Sequence, residues 1–369
     1  MKLLSIGGTR PQFVKMAIMA RSINEHNKLA SDPIDHRLLH TGQHRDPGMS
    51  EVFFKELDMP QPQVLMTSPA DTPGLQTAVM LAGIEAELIR WRPDAVLTYG
   101  DTNSTIAAAL AAAKLHIPLI HLEAGLRSFN RRMQEEVNRI VTDQVSDLLL
   151  CPTHSAVEQL RQEGLGDRAV FVGDVMLDAV EQFGDSRREA AVLHELSIKP
   201  GEYALLTLHR AETTDDPAKL TAIFDALRQI DIPIVYPAHP RLRRWLATNY
   251  RSQSFGSHIH LIDPVGYLDM LALQRNARFI MTDSGGLQKE AYFAGIPCVT
   301  LRDETEWRET LHGGWNILVG SNGAAIVNAA KALLRPETFT SEPRDLDLFG
   351  GGQACTRCVN QIVEMVRAA

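Results

Sequence analysis

The sequence predicts an α/β protein with two doubly wound domains, each built around a parallel sheet. The chain has 369 residues, more than one hydrophobic core normally contains, so two domains are expected. Short apolar segments alternate with segments of helical periodicity, and this alternation restarts in the second half of the chain. The apolar segments are continuous rather than alternately polar and apolar, which is typical of parallel strands covered on both faces.

The predicted elements follow one another regularly along the chain. In the first half, strands are predicted at residues 3–7, 38–41, 94–99, 118–123, 148–151 and 170–172, and helices at residues 11–27, 104–115 and 135–147. In the second half, strands are predicted at residues 203–208, 234–236, 259–262, 279–282 and 298–301, with residues 315–319 as a candidate sixth. Glycine and charged residues cluster between residues 172 and 202, so the predicted domains are residues 1–172 and 173–352.

The composition argues against several classes of protein. The formal net charge is −8, and the 37 lysines and arginines form no long basic segment, so a nucleic-acid partner is not expected. The 4 cysteines are too few for a disulfide framework, and Cys355 and Cys358 are interpreted as two residues on one face of a C-terminal helix. No segment approaches the roughly 20 apolar residues that span a bilayer, and the N-terminal apolar segment is too short for a signal peptide. We therefore expect a cytoplasmic protein without a membrane partner. No metal-ligand pattern of histidines, cysteines or carboxylates is present, so no metal is expected.

Polar residues follow the predicted strands of the first half, at the edge where open parallel sheets bind ligands. Arg10 begins the helix after the first strand, and Lys15 lies one turn further on. A guanidinium beside a helix N-terminus is suited to phosphate, although a capped helix with surface charges explains this loop equally well. Asp101, Glu123 and Glu135 follow or flank adjacent strands. Carboxylates that share a crevice raise each other's pKa and can divide acid and base roles, and salt bridges to nearby arginines are the alternative.

The second half carries a similar set of polar residues. His209 and His239 follow successive predicted strands, a placement that favours phosphate binding or acid catalysis over a purely structural role. Ser284 and two glycines follow the strand at residues 279–282 and begin a helix whose amide groups can face a phosphate. Glu290 lies nearly two helical turns further on and is predicted to accept hydrogen bonds from ribose hydroxyls.

As a set, these segments resemble the non-hydrolysing UDP-N-acetylglucosamine 2-epimerases. The matching segments are GTRPQFVK from residue 8, TGQHR from 41, GDTNST from 100, HLEAGLRS from 121, EEVNR from 135, LHRAET from 208, TDSGGLQKEA from 282 and RDETEWRET from 302. The resemblance implies the GT-B architecture, two Rossmann-like domains with a cleft between them that binds a UDP-sugar, with the C-terminal helix at residues 353–369 packing back on the first domain. It also implies an isomerase of nucleotide-sugar metabolism and polysaccharide biosynthesis that needs no cofactor and is usually a homodimer. In the family reaction UDP leaves C1 as the C2 proton is removed, and UDP then adds back as a proton arrives on the opposite face.

The resemblance also assigns roles to individual residues. The catalytic residues it implies are Lys15, Asp101, Glu123, Glu135 and His209. The UDP-binding residues it implies are Arg10, His209, Ser284, Gly285, Gly286 and Glu290, with residues 264–273 beside the uracil. Candidate substrate or activator contacts are Gln43, Arg127, Arg210, His239, Asp303, Thr305 and Glu306. Which carboxylate is the acid and which the base stays open, because coupled groups titrate jointly.

Some positions depart from the commonest family pattern. Gln12, Phe13 and the stretch at residues 303–307 resemble the branch that acts on UDP-2,3-diacetamido-2,3-dideoxyglucuronic acid. Gln134 replaces the usual proline before the paired glutamates, and Asp46 stands where a second glutamine helps to form the family's activator site. A uronate substrate requires a further cation, for which the candidates are Arg127, Arg131, Arg132 and Arg308. The alternative functions are a GT-B glycosyltransferase, a hydrolysing epimerase and a non-enzymatic sensor of UDP-sugars.

Overall fold

The computed structural model divides the chain into two compact units. It describes residues 1–43, 54–66, 72–184, 186–238, 240–249, 256–335 and 342–368. Unit 1 comprises Met1–Gln182 together with Leu346–Ala369, and unit 2 comprises Phe183–Asp345. The chain therefore leaves unit 1 after residue 182 and returns to it at residue 346, whereas the sequence analysis placed these boundaries at residues 172 and 352.

Unit 1 contains a seven-stranded parallel sheet with the strand order β3-β2-β1-β4-β5-β6-β7. Its strands are β1 (Lys2–Gly7), β2 (Asp35–His40), β3 (Val64–Leu65), β4 (Ala95–Tyr99), β5 (Leu119–Leu122), β6 (Leu148–Cys151) and β7 (Ala169–Phe171). Its helices are α1 (Arg10–Leu29), α2 (Pro73–Trp91), α3 (Asn103–Lys114), α4 (Gln134–Val145), α5 (His154–Gln162), α6 (Val175–Phe183) and, at the C-terminus, α14 (Ala354–Ala368). The short strand β3 and the helices α2, α5 and α6 are additions to the elements named from the sequence.

Unit 2 contains a six-stranded parallel sheet with the strand order β10-β9-β8-β11-β12-β13. Its strands are β8 (Ala204–Thr207), β9 (Ile234–Pro237), β10 (Ile259–Ile262), β11 (Phe279–Thr282), β12 (Cys298–Thr300) and β13 (Asn316–Leu318). Its helices are α7 (Ser186–Glu195), α8 (Ala211–Thr214), α9 (Pro217–Leu227), α10 (Pro240–Asn249), α11 (Tyr267–Arg275), α12 (Gly285–Ala294) and α13 (Gly323–Leu334). Every strand predicted from the sequence overlaps a strand of one of the two sheets, and residues 315–319 contribute the sixth strand of unit 2.

The core of unit 1 fixes the loop between β4 and α3. All five residues of β4 are buried, and the alanine-rich face of α3 packs in the same core as α2. Alanine side chains let α3 approach its neighbours closely and cost little side-chain entropy in a helix. Thr102 is the N-cap residue of α3, and its side chain accepts a hydrogen bond from the Thr105 amide. The loop between β4 and α3 is consequently short and fixed at both ends.

The C-terminal helix α14 belongs to unit 1 and packs against α1. The Asp178 carboxylate accepts hydrogen bonds from the amides of Ala354 at 3.1 Å and Cys355 at 2.8 Å, which satisfies two donors at the start of the helix. Cys355 and Cys358 are free, buried thiols whose pKa is raised above the usual range by burial. The two cysteines thus lie inside the helix packing, as their interpretation from the sequence requires. No helix among the described residues is both long and apolar enough to cross a membrane.

Candidate active site

The loop between β1 and α1 is organised by a buried glutamine. The Gln12 carbonyl oxygen accepts hydrogen bonds from the Gly8 amide at 2.8 Å and the Thr9 amide at 3.1 Å. Its amide nitrogen donates to the Tyr99 carbonyl at 2.8 Å, which ties this loop to the end of β4. Arg10 is the first residue of α1 and is half-buried, so its guanidinium lies at the positive end of the helix dipole, as predicted. Two amides that a phosphate could have used are thus already satisfied within the protein.

Lys15 and Glu123 form a close, largely buried ion pair in unit 1. Lys15 Nζ lies 2.7 Å from Glu123 Oε1, and the side chains are only 7% and 11% exposed. Glu123 has a positive φ of 76°, an uncommon conformation for a residue other than glycine, which is often found at functional sites. A Cβ atom on Gly100 would lie 3.4 Å from Glu123 Oε1 and 3.5 Å from Lys15 Nζ, so the ion pair lies against the Gly100 backbone.

Asp101 is held by a second set of charges. Its carboxylate forms an ion pair with Arg139, and Arg139 also donates to Glu136 at 2.8 Å. The buried Glu136 carboxylate additionally accepts hydrogen bonds from the backbone amides of the loop before α4. Glu135, in contrast, is half-buried and forms no hydrogen bond or ion pair within the described ranges. The structure therefore gathers Asp101 and Glu123 around one short loop but gives Glu136, which the sequence analysis did not select, the more extensive contacts.

A buried cluster that the sequence analysis did not identify lies beside this loop. His121 Nδ1 is 2.7 Å from Asp143 Oδ1, and Arg127 Nη1 donates to Asp143 Oδ2 at 2.7 Å. Burial raises the pKa of Asp143, but the hydrogen bonds and positive charges of His121 and Arg127 outweigh burial, so this pKa is lowered overall. Arg127 also binds both carboxylate oxygens of Glu163, at 2.8 and 2.6 Å.

Arg127, a candidate substrate contact, lies in buried ion pairs in the structure. Its side chain is only 2% exposed, and its guanidinium is engaged by two carboxylates and one backbone carbonyl. Four of its five N–H groups thus have acceptors within unit 1. The other cations considered for a uronate, Arg131, Arg132 and Arg308, are all exposed.

In unit 2, a buried aspartate positions the residues that follow β8. The Asp283 carboxylate accepts hydrogen bonds from the amides of His209 and Arg210, each at 3.1 Å. Asp283 Oδ1 also lies 3.2 Å from His209 Nδ1, and the His209 side chain is 58% exposed. The carboxylate is fully buried, so it orients an imidazole whose remaining surface is accessible. This arrangement suits a histidine that binds a phosphate group, as predicted for His209.

The start of α12 combines a helix N-terminus with several charged groups. Ser284 is the N-cap residue, and its side chain accepts from the Leu287 amide at 3.4 Å. A Cβ atom on Gly285 would lie 2.3 Å from Glu306 Oε1, so this glycine makes room for a carboxylate of the chain itself. Glu306 in turn lies 2.9 Å from Arg302 and 3.6 Å from Arg210. Glu306, a candidate substrate contact, therefore acts here as the counter-ion of two arginines beside a predicted phosphate site.

Two of the remaining predicted contacts in unit 2 are buried in side-chain networks. The Glu290 carboxylate accepts a hydrogen bond from the side-chain amide nitrogen of Gln274 at 2.9 Å. The Thr305 hydroxyl donates to Gln288 at 2.7 Å, and this fixes the loop after β12 against α12. Asp303 is exposed.

The predicted activator residues are only partly described. In unit 1 the Gln43 carbonyl oxygen accepts from the Ser104 amide at 2.9 Å and hydroxyl at 2.6 Å, linking the β2 loop to α3. Arg210, a second residue of that prediction, lies in unit 2 beside Asp283 and Glu306. His239, and Asp46 at the departing position, lie outside the described residues. In the part of the chain that the structure covers, no group of three histidine, cysteine or acidic residues is arranged to hold a metal.

The chain was compared with protein families and with known proteins. Residues 27–363 match the family model described as UDP-N-acetylglucosamine 2-epimerase. The chain is 45% identical to UDP-2,3-diacetamido-2,3-dideoxy-D-glucuronate 2-epimerase of Pseudomonas aeruginosa, over 99% of this chain and 100% of the relative. It is 43% identical to a UDP-N-acetylglucosamine 2-epimerase homolog of Methanococcus maripaludis, over 100% of this chain and 99% of the relative.

Solved structures give the same result. The crystal structure of Methanocaldococcus jannaschii UDP-GlcNAc 2-epimerase in complex with UDP-GlcNAc and UDP is 38% identical, with a TM-score of 0.88 over 99% of this chain and 100% of that one. The Neisseria meningitidis enzyme bound to UDP-GlcNAc is 27% identical, with a TM-score of 0.88 over 99% of this chain and 100% of that one. The predicted GT-B fold class is confirmed by this likeness and by the two parallel sheets.

Proposed function

The chain belongs to the UDP-N-acetylglucosamine 2-epimerase family, and from this premise we propose that it inverts C2 of a UDP-sugar by eliminating and re-adding UDP without hydrolysis. The chain is a UDP-sugar 2-epimerase by its family and its relatives. The elimination mechanism is the proposal. The observation that carries it is the placement of two charge-stabilised carboxylates, Asp101 and Glu123, at the ends of neighbouring strands.

The proposed reaction has two balanced steps. A carboxylate takes the proton from C2, the electron pair forms the C1–C2 double bond, and the C1–oxygen bond breaks so that UDP leaves with its bonding electrons. A carboxylic acid then delivers a proton to the opposite face of C2, and the UDP oxygen attacks C1 to restore the glycosidic bond. The reaction consumes no water and no oxidant, so it needs only acid–base groups and a firm hold on the released UDP.

Unit 1 supplies the proton transfers in this proposal. Asp101 and Glu123 are the two carboxylates proposed to transfer the proton, and each is held by a cationic side chain, Arg139 and Lys15 respectively. Glu135 has no partner within the described residues and is half-exposed, so it is the third carboxylate that can take part in proton transfer. The roles of base and acid exchange when the reaction runs in reverse, as microscopic reversibility requires.

Unit 2 holds the diphosphate in this proposal. His209 presents an accessible imidazole that Asp283 orients, and the start of α12 at Ser284 provides the positive end of a helix dipole. Arg10 of unit 1 is proposed as a further phosphate ligand. The buried Glu290 is proposed to bind the ribose, because ionised carboxylates form strong hydrogen bonds with hydroxyl groups.

We propose UDP-2,3-diacetamido-2,3-dideoxyglucuronate as the substrate in preference to UDP-GlcNAc. The support is the 45% identity, over the whole of the relative, to an enzyme named for that substrate. The stretch that ends in Trp307 resembles the same branch in sequence. The cations proposed to recognise the uronate carboxylate are Arg131, Arg132 and Arg308, because their side chains are exposed, whereas that of Arg127 is buried. Similar relatives named UDP-GlcNAc 2-epimerases make UDP-GlcNAc the competing substrate to be tested.

Proton NMR in D₂O tests both parts of the proposal. UDP-GlcNAc and UDP-2,3-diacetamido-2,3-dideoxyglucuronate are incubated in separate tubes with wild-type protein and with Asp101→Asn. We expect the manno epimer with deuterium at C2 and with UDP still attached, faster in the uronate tube, and no product with the variant. Release of free UDP and free sugar would identify a hydrolysing enzyme instead. Binding without turnover in either tube would contradict the epimerase proposal and favour a sensor.

The assembly and cellular context are also proposals. We propose a cytoplasmic homodimer that takes part in polysaccharide biosynthesis. The free, buried state of its four cysteines suits a reducing compartment. Light scattering coupled to gel filtration checks the dimer, and a mass of one chain at micromolar concentration would exclude it.

A further inference from the structure

The buried His121 connects the two loops that carry the proposed catalytic carboxylates. It lies at the third position of β5, two residues before Glu123, and its side chain is fully buried. Its Nε2 atom lies 2.6 Å from the Gly100 carbonyl oxygen, directly before Asp101. Its Nδ1 atom lies 2.7 Å from Asp143 Oδ1. One imidazole thus spans the ends of β4 and β5 and the helix α4.

The partners of this imidazole fix where its protons are. A backbone carbonyl only accepts hydrogen bonds, so the Nε2 atom that faces Gly100 carries a proton. Asp143 accepts from Arg127 at 2.7 Å and from the Gly125 amide at 3.2 Å, contacts that favour an ionised carboxylate. An ionised carboxylate is also only an acceptor, so both ring nitrogens of His121 face hydrogen-bond acceptors.

Charged groups of opposite sign meet beside the His121 ring. Arg127 forms ion pairs with both Asp143 and Glu163, so the buried charges of this cluster have partners. On the side of β6, burial raises the pKa of the Cys151 thiol, which therefore stays uncharged.

The Gly100 peptide is held from both sides. Its amide donates to the Leu122 carbonyl at 2.9 Å, and its carbonyl accepts from His121. Gly100 has a φ of 62°, and its backbone lies against the Lys15–Glu123 ion pair. A rotation of this peptide would therefore move Asp101 and disturb the packing around Glu123 together.

We propose that His121 is a positioning residue of the epimerase, acting through the Gly100 carbonyl to set the placement of Asp101 relative to Glu123. This proposal rests on the proposed 2-epimerase function. The separation of the two carboxylates has to match opposite faces of one sugar carbon, and a displacement of about 1 Å can cost on the order of 100-fold in rate. The Nε2–H···O=C bond is the contact that matters for catalysis, whereas the Nδ1–H···Asp143 bond matters for stability.

Two substitutions separate these contacts, because each retains one of the two donors. In His121→Gln the side-chain amide nitrogen replaces Nε2 and can still reach the Gly100 carbonyl. In His121→Asn the amide nitrogen replaces Nδ1 and can still reach Asp143. Ile84→Val, in the core of unit 1, is the control for a simple loss of stability. Each protein is assayed for C2 deuterium exchange, with kcat, KM, UDP affinity and Tm measured together.

We expect kcat to fall on the order of 100-fold in His121→Asn with KM and UDP affinity unchanged, and His121→Gln to restore most of the lost kcat. Equal losses of kcat in both variants, or losses that follow Tm as in Ile84→Val, would overturn the positioning role. If the wild type is active and the variants give those contrary results, only the positioning role is refuted and the proposed function stands. If the wild type itself is inactive, both the proposed function and the positioning role are refuted. Neutron diffraction of deuterated wild-type crystals provides a check that does not depend on the variants: a deuteron on Nε2 of His121, directed at the Gly100 carbonyl oxygen, is expected, and its absence would contradict the proposal.

Discussion

Replacing Asp143 by asparagine tests how strongly the buried charge cluster stabilises unit 1. Asp143 accepts from His121 at 2.7 Å, from Arg127 at 2.7 Å and from the Gly125 amide at 3.2 Å, and its side chain is fully buried. Asparagine removes the negative charge, so the buried Arg127 loses a counter-ion. Removal of one partner from a buried ion pair typically costs about 3–5 kcal/mol. For a unit of this size we expect Tm to fall by about 6–20 °C.

Differential scanning calorimetry at pH 7.5 measures this loss, and Glu158→Gln is the matched control. Glu158 forms an ion pair with Arg161 at 2.7 Å, but both side chains are exposed, so we expect almost no change in Tm. The pKa of Asp143 is lowered in the folded protein, so its contribution is present above the ordinary aspartate value of 3.8 and is lost as the pH falls through the folded value. The wild type and Asp143→Asn should therefore converge in stability at acidic pH. Equal Tm losses in Asp143→Asn and Glu158→Gln at pH 7.5 would refute the reasoning.

Three further predictions concern glycines and the ribose site. Gly125 has a φ of 84°, and a Cβ there would lie 2.5 Å from a backbone carbonyl oxygen, whereas Gly164 has a similar φ of 78° but open space around it. In urea unfolding, Gly125→Ala should therefore lower the free energy of unfolding by about 2 kcal/mol more than Gly164→Ala. A Cβ on Gly285 would lie 2.3 Å from the ion-paired Glu306 carboxylate, whereas one on Gly286 meets nothing closer than 3.9 Å. Calorimetric titration should therefore show weaker UDP binding in Gly285→Ala but not in Gly286→Ala. Glu290→Gln should weaken UDP binding on the order of 10-fold but leave the affinity for 2′,3′-dideoxy-UDP unchanged, and an equal loss for both ligands would exclude ribose recognition.

Most of the strands could be predicted from the local pattern of apolar and polar residues. Continuous apolar segments between helical segments are what a parallel sheet with two covered faces requires, so the strands of both sheets were predicted, apart from β3. β3 has only two residues, Val64 and Leu65, and one of them is exposed, so it leaves no apolar segment to detect. The predicted boundary at residue 172 lies ten residues before the observed one at 182, because α6 continues unit 1 into the segment between residues 172 and 202 where glycine and charged residues cluster.

The sequence also showed where polar residues follow strands, but it did not show which residues they form ion pairs and hydrogen bonds with. Lys15, Asp101, Glu123 and His209 could be selected because the carboxyl ends of parallel strands face ligand sites. The sequence could not show whether Glu135 or Glu136 faces the other charged residues. Adjacent residues of a helix point in different directions, and the sequence does not show which direction faces the site. In the structure it is Glu136 that binds Arg139 and the backbone before α4.

By itself, the sequence determined the fold class, the order of the strands along the chain and the family, because these depend on periodicity and on motifs that are contiguous in the chain. Only the tertiary structure decided the electrostatic partners. His121 and Asp143 are 22 residues apart in sequence and meet across a strand and a helix, and Arg127 is paired rather than available to a substrate. The physical reason is that charge pairing depends on distance through space and on burial, and the sheet fixes both only when the whole unit has folded.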